Sequence, residues 1–547
     1  MEMKMQHIHD IGKKLGLKPS DLELYGDYKA KVKLDSIHSL KDRPDGSLVL
    51  VSAMTPTPAG EGKTTVSIGL GMVLDRLGIR SLVTLREPSM GPLFGMKGGS
   101  TGGGRASVLP ADDINMHFTG DIHAITAAHN LIAASLDNHI YRRDDPLIDH
   151  RRVQWDRVMD MNDRSLRNIV IGLGGKQDGV PRETFFHITA SSEIMAILCL
   201  SESYEDLKKR ISGILLGFTY RGKPVYVRDL GIEGAAAALL RDAIKPNLVQ
   251  SAEHTPVFIH GGPFANIAQG TCSVMSMKLA LKLADIVVTE AGFGFDLGAE
   301  KFFDIVSRIA GLRPCLVVLV GTIRVLKMHG GKKLSEINEP DPDAVERGMP
   351  NLAYHLDNIG TFGLPAVVAL NRFSTDTEEE IAVVEKFAHQ HCGCVSVIDV
   401  HGQGSEGAVN LAQAVAGSIS DDVEFKPLYP LDMPVQQKIE TVCSRIYGSK
   451  AVDFTAEAKK DLKKIKKLGF GNLPVCIAKT QKSISDNPDL LGVPKDFLVT
   501  VRKVKISSGA GFLVPVTGEI LLMPGLPRHP AARTVDIDDG GNISGLD

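Results

Sequence analysis

Short apolar runs recur along the chain, each leading through a glycine-bearing polar stretch into a segment with apolar residues every three or four positions. Ser47–Met54 has the β-branched and leucine-rich character of a strand. Lys63–Leu77 follows as a helix with Val66, Leu70, Val73, Leu74 and Leu77 on one face. Gly78 stands where a helix C-cap belongs, and Ser81–Leu85 reads as the next strand. Such a strand–helix–strand unit predicts parallel strands buried on both faces. Asn168–Gly172, Pro256–Ile259, Ile286–Thr289, Cys315–Val320, Pro365–Leu370 and Val395–Val400 read as further buried strands. Thr375 and Glu378 have the spacing of a capping box that opens a helix running to His391. The pattern predicts an α/β fold with a mostly parallel, doubly wound sheet and sites beyond the carboxyl ends of its strands.

A chain of 547 residues is too long for one ordinary core. The expected division is a large nucleotide-binding domain over 1–360, a second α/β domain over 361–495, and a small C-terminal domain or arm over 496–547, where Gly and Pro become frequent. Ala458–Leu468 is lysine-rich, but Ala458, Leu462, Ile465 and Leu468 form a helical stripe, so the lysines read as a solvated face. A balance of 62 basic and 65 acidic residues predicts no general affinity for nucleic acid or anionic membrane. No apolar run approaches the length of a membrane span. Met1–Gly16 lacks the apolar core of a secretion signal, and the seven cysteines are scattered and odd in number. A reducing, cytoplasmic setting is the expectation.

The most specific motif lies between the first strand and its helix: Thr57, Pro58, Ala59, Gly60, Glu61, Gly62, Lys63, Thr64 and Thr65. It follows the phosphate-binding pattern G-x-x-x-x-G-K-[ST], except that Thr57 replaces the first glycine. Gly60 and Gly62 let backbone N–H groups turn inward around an anion. The helix beginning near Lys63 directs its positive end at the phosphates. Lys63 supplies a mobile charge for the β- and γ-phosphates and Thr64 a hydroxyl for Mg²⁺. The fold expected is therefore of the P-loop NTPase kind. Asn371–Ser374 follows a strand where a guanine-reading motif would end in a carboxylate; position 374 is serine, which favours ATP. Gly172–Gly175 and Gly292–Gly294 fail the spacing of a dinucleotide-binding loop.

A second unusual stretch, Arg86–Gly104, follows the second strand and is dense in glycine. Ordering such a loop costs much conformational entropy, and its place beside a phosphate loop suits a second substrate, with Lys97 among its contacts. Arg86 leaves its strand at the end that faces the γ-phosphate, where a guanidinium can hold a carboxylate and a phosphoryl oxygen in one fork. Asp112, Asp113 and Asp121 share a polar stretch with His117, His123 and His129, from which a second cation could draw a ligand.

Five segments together resemble the formate–tetrahydrofolate ligase family: Tyr25–Lys31, Thr57–Thr65, Arg86–Pro92, Asp113–Asp121 and Glu519–Pro527. The resemblance runs through the chain in order and matches the monofunctional bacterial form. It implies ATP-dependent ligation of formate to tetrahydrofolate through formyl phosphate, giving 10-formyltetrahydrofolate, ADP and phosphate. It further implies that Arg86 binds the formyl phosphate and that Phe293 and Phe373 flank the pterin ring. His401 stands where the family pattern often has a tryptophan as the slot's other wall. Activation by K⁺ or NH₄⁺, with Glu87 and Asp121 as ligands, and a homotetramer are implied by resemblance alone. The competing readings are another carboxylate-phosphorylating P-loop ligase and a P-loop switch ATPase that moves a partner.

Overall fold

The computed structural model describes residues 4–97, 101–391, 394–420, 422–518 and 520–546, without the side chains of His38, Met96, Lys97 and His389. The fold is α/β, built on a large and mostly parallel sheet with several smaller ones. Ten strands lie on the main path of the large sheet: β1 (Leu22–Leu24), β2 (Ala30–Val32), β3 (Ser47–Ala53), β4 (Ser81–Leu85), β5 (Asn247–Ser251), β6 (Pro256–Ile259), β7 (Ile286–Glu290), β8 (Pro314–Gly321), β9 (Ala366–Asn371) and β10 (Val395–Ile398). Their spatial order is β1-β2-β5-β6-β4-β7-β3-β8-β9-β10. From β6 to β10 every neighbouring pair is parallel; β1, β2 and β5 are added antiparallel.

The side-chain alternation of a strand explains the two cores. Leu48 and Leu50 of β3 join one apolar cluster, while Val49, Val51 and Ala53 join the other. Val317 and Leu319 of β8 face the first, and Leu316, Val318 and Val320 the second. Both faces of the sheet are thus covered, which is why these strands read as unbroken apolar runs. Helix Lys63–Arg76 packs in the second cluster, and Val66–Leu74 is buried without a break, so the one-faced stripe understated how enclosed it is.

Two expectations change. Asn168–Gly172 is not a buried strand of the large sheet: Ile169–Ile171 pairs antiparallel with Arg182–Thr184, and Val170 is exposed. Three apolar residues make one rung pattern of a surface hairpin as well as they make a core strand. The capping box before Glu378–His391 is formed by Thr377 and Glu380, whose N–H groups each bond to the other's side chain. The expected pair Thr375 and Glu378 lies two residues too early. Toward the C-terminus, Ala451–Phe454, Leu498–Ser507 and Phe512–Thr517 form a separate sheet that joins residues on both sides of position 496. Helix Ala456–Lys467 buries Ala458 and Ile465 as its stripe predicts.

Candidate active site

The carboxyl ends of β3, β4, β7, β8, β9 and β10 share one edge of the sheet. The chain runs from β3 to β4 on one side of β3 and from β7 to β8 across to the other. The resulting switch point lies beyond β3 and β7, and the crevice expected at such a point is the usual place for a ligand in an open parallel sheet. Thr57–Thr65, Arg86, Phe293, Phe373 and His401 all lie on the loops and helix starts that follow these strand ends.

The loop after β3 is fixed from within and from outside. Gly60 and Gly62 adopt φ of 78° and 72°, the left-handed region that a side chain disfavours. Glu61 spans the loop: Oε1 accepts the Thr57 N–H at 3.0 Å, and Oε2 lies 3.2 Å from Lys63 Nζ. Asn371, at the end of β9, donates to the Glu61 carbonyl at 3.2 Å. A Cβ on Gly62 would stand 2.5 Å from Asn371 Nδ2, so a second constraint demands glycine there. Asn371 therefore holds the loop's backbone, a role its neighbours in sequence did not suggest. Below the loop, Thr55 is clamped by helix Pro342–Thr361. Asn351 Nδ2 donates to Thr55 Oγ1 at 3.0 Å, and His355 Nε2 lies 3.0 Å from the same oxygen. His329 Nε2 reaches the Thr55 carbonyl at 2.9 Å. Burial pushes the His355 imidazole down to about 4 and lowers that of His329 as well.

One hydroxyl, one guanidinium and one carboxylate meet at the crevice. Thr64 Oγ1 donates to Glu290 Oε2 at 2.8 Å, and Glu290 Oε1 lies 3.9 Å from Arg86 Nε. Arg86 Nη1 reaches the Pro263 carbonyl at 3.4 Å, and Gly292 packs so close that a Cβ there would meet that nitrogen at 2.8 Å. Glu290 was missed because an apolar strand pattern stops at Thr289. The signal was present: an ionisable residue directly after a buried parallel strand sits at the functional edge.

The other expected residues divide. Phe293 has φ of 59° and is half-buried, a strained backbone of the kind that clusters at ligand sites. Phe373 is half-buried, and the Arg324 guanidinium lies over its ring at 4.2 Å. His401 is exposed on the short helix Val400–Gln403, its carbonyl accepts the Arg105 N–H at 2.9 Å, and its ring borders Gly103 and Gly104. Among the described residues no ring contact joins Phe293, Phe373 and His401. Lys97 closes the turn Leu93–Lys97, and the contact expected of its side chain lies outside the described residues.

Glu87 is buried, and among the described residues nothing hydrogen-bonds its Oε2. Burial pushes its carboxyl well above the usual range, the Asp121 charge adds to this, and Lys31 opposes it. Asp121 is not free: its two oxygens receive Lys31 Nζ at 2.8 and 2.9 Å, and Asn247 Nδ2 donates to one of them at 2.8 Å. Lys31 is wholly buried and supplies the cation to that carboxylate. Asp113 pairs with Lys29 at 2.7 Å, and His129 is enclosed between Ser192 and the Asp156 carbonyl.

Comparison with known proteins agrees over the full length. The family model described as formate–tetrahydrofolate ligase matches residues 1–547. A protein of Syntrophus aciditrophicus named formate–tetrahydrofolate ligase is 56% identical over 544 residues, covering 99% of this chain and 96% of that protein. One of the same name from Symbiobacterium thermophilum is 54% identical over 544 residues, covering 99% of this chain and 98% of that protein.

Proposed function

The chain belongs to the formate–tetrahydrofolate ligase family, and from that premise we propose how its crevice carries out ATP-dependent ligation of formate to tetrahydrofolate. The observation that supports the reading most is the convergence of the Thr57–Thr65 loop, Arg86 and Glu290 at one switch point. The loop acts as a P-loop: its backbone and Lys63 hold the ATP phosphates, with Lys63 leaving Glu61 for them. Thr64 presents a hard oxygen that would suit Mg²⁺, and the ion when bound would neutralise phosphate charge. Arg86 holds formate against the γ-phosphate. A formate oxygen attacks γ-phosphorus and the bond to the bridging oxygen breaks, leaving formyl phosphate and ADP. N10 of tetrahydrofolate then attacks the formyl carbon; phosphate leaves with the C–O bond pair, and N10 loses its proton. Formate itself has no usable leaving group, so phosphorylation is what makes the second step feasible, and the protein contributes position and charge.

The pterin lies against Phe373, whose other face Arg324 covers, with Phe293 and His401 bordering the slot. A monovalent cation, K⁺ or NH₄⁺, fits Glu87 Oε2, a buried oxygen without a donor among the described residues; it does not fit Asp121, whose charge Lys31 already meets. A homotetramer is part of the same reading, and no described helix is long and apolar enough to cross a membrane.

One assay separates this ligase from a switch ATPase and from a ligase for another carboxylate: ADP release measured with formate and tetrahydrofolate omitted in turn. ADP release is expected to need formate, and turnover that continues without it defeats the proposal. Lys63→Ala is expected to abolish ATP use, while Arg86→Ala retains nucleotide binding and loses formyl transfer. Normal transfer by Arg86→Ala removes that residue from the site.

A further inference from the structure

Glu290 ends β7 opposite Val51 of β3, one rung beyond the last pairing of β7 with Thr84 of β4. Its carboxylate is 6% exposed and has two neighbours of opposite kind. One is the Thr64 hydroxyl on the phosphate loop; the other is the Arg86 guanidinium at the exit of β4. An ionised carboxylate accepts about four hydrogen bonds, and here one hydroxyl reaches it while Arg86 Nε stays at 3.9 Å. Among the described residues nothing hydrogen-bonds the buried Arg86 Nε. A carboxylate kept only for the stability of the fold would be better paired, because a buried charge with few partners is destabilising. The looseness on both sides leaves Thr64 and Arg86 able to adjust when a ligand arrives.

We infer that Glu290 is a positioning residue that couples the metal side of the nucleotide to the arginine side of the formyl group. The inference rests on the phosphate-loop reading above. By accepting the hydrogen bond from the Thr64 hydroxyl it turns the lone pairs of that oxygen away from itself, toward the phosphates, where Mg²⁺ would require an oxygen. By its charge it holds Arg86 at the edge of β4 and leaves the remaining N–H groups of the guanidinium for the oxyanions of formate and phosphate. One side chain thus sets the distance between the two cationic elements that an in-line transfer needs on either side of the phosphoryl group.

Binding of ADP to the full-length protein, titrated calorimetrically with and without Mg²⁺, tests this. Glu290→Gln keeps the shape and removes the charge. It is expected to leave metal-free ADP affinity within about twofold, to lose about 10–100-fold of the tightening that Mg²⁺ gives the native protein, and to raise the KM for formate but not for tetrahydrofolate. Glu290→Asp, which keeps the charge on a shorter arm, restores part of the Mg²⁺ effect. Native Mg²⁺ tightening together with a native formate KM in Glu290→Gln overturns the inference. So does an equal loss of ADP affinity with and without metal, which marks Glu290 as mere support. Thr64→Val removes only the hydroxyl limb and does not depend on Glu290→Gln folding: it must lose the Mg²⁺ tightening, and keeping it overturns the inference too. Failure of the native protein to bind ADP at all sinks the phosphate-loop reading instead.

Discussion

Thr55 leaves β3 into the phosphate loop, and the three residues that clamp it make its surroundings sensitive to protonation. His355 is wholly buried, and its imidazole is pushed from the ordinary 6.5 to about 4 by loss of solvent, with the Asp296 charge opposing. The unfolded chain therefore takes up the proton first as pH falls. The stability that neutral His355 contributes is complete above 6.5 and is lost as pH drops through about 4. Urea unfolding of the native protein and of His355→Asn across this window is the measurement. The native advantage is expected to shrink, by at most on the order of 3 kcal/mol, as pH falls from 6.5 to 4. A difference that stays constant over the window shows that His355 is not held neutral.

Helix Lys63–Arg76 owes its position to close approach more than to its sequence stripe. A Cβ on Gly69 would stand 2.5 Å from Val400 Cγ1 and 2.6 Å from Val400 Cβ. Helix propensity alone favours Gly69→Ala by about 1 kcal/mol. Overlap with a β-branched side chain, met at its branch point and stiff at χ1, is expected to outweigh this, at about 1–3 kcal/mol. Gly69→Ala should thus lower the thermal unfolding midpoint, and Val400→Ala, which keeps the Cβ 2.6 Å away, should recover only a minor part of it. A Gly69→Ala protein more stable than the native one refutes the close packing. The contact also ties the phosphate-loop helix to the segment that carries His401, a link invisible in the sequence because residue 69 and residue 400 meet only in space. What the sequence did make legible follows the same logic. Buried parallel strands such as β3 and β8 announce themselves as apolar runs, and the loops at their carboxyl ends hold the expected residues. The hairpin at Ile169–Ile171 did not differ from a core strand in three residues. The Thr377–Glu380 box was misplaced because two overlapping T-x-x-E frames exist. Glu290 and Asn371 were hidden because their partners, Thr64 and the Glu61 carbonyl, come from distant parts of the chain.

Across the whole molecule, the crevice is tied to the C-terminal part of the chain by one buried ion pair. Asp296, three residues beyond Phe293, lies 2.7 Å from Lys479, and their side chains are 1% and 0% exposed. Lys479 also donates to the carbonyls of Thr480 and Ser483, and its ammonium sits 5.0 Å from the centre of the Tyr447 ring. Burial pushes the Lys479 ammonium down and Asp296 holds it up, so each charge is tolerated only because the other is present. Breaking such a pair from one side is expected to destabilise by about 3–5 kcal/mol, whereas replacing both members with neutral groups of similar size is far milder. Lys479→Met should then be markedly less stable than Asp296→Asn/Lys479→Met in the same background. The functional consequence is separable from stability. With the pair gone, the turn that carries Phe293 loses its anchor to the segment around Lys479, so the double variant should fold, bind ADP normally and show a raised KM for tetrahydrofolate. Additive losses in the two single variants and the double argue that the charges do not act as a pair. An unchanged KM in a well-folded double variant argues that the anchor does not reach the pterin side of the crevice.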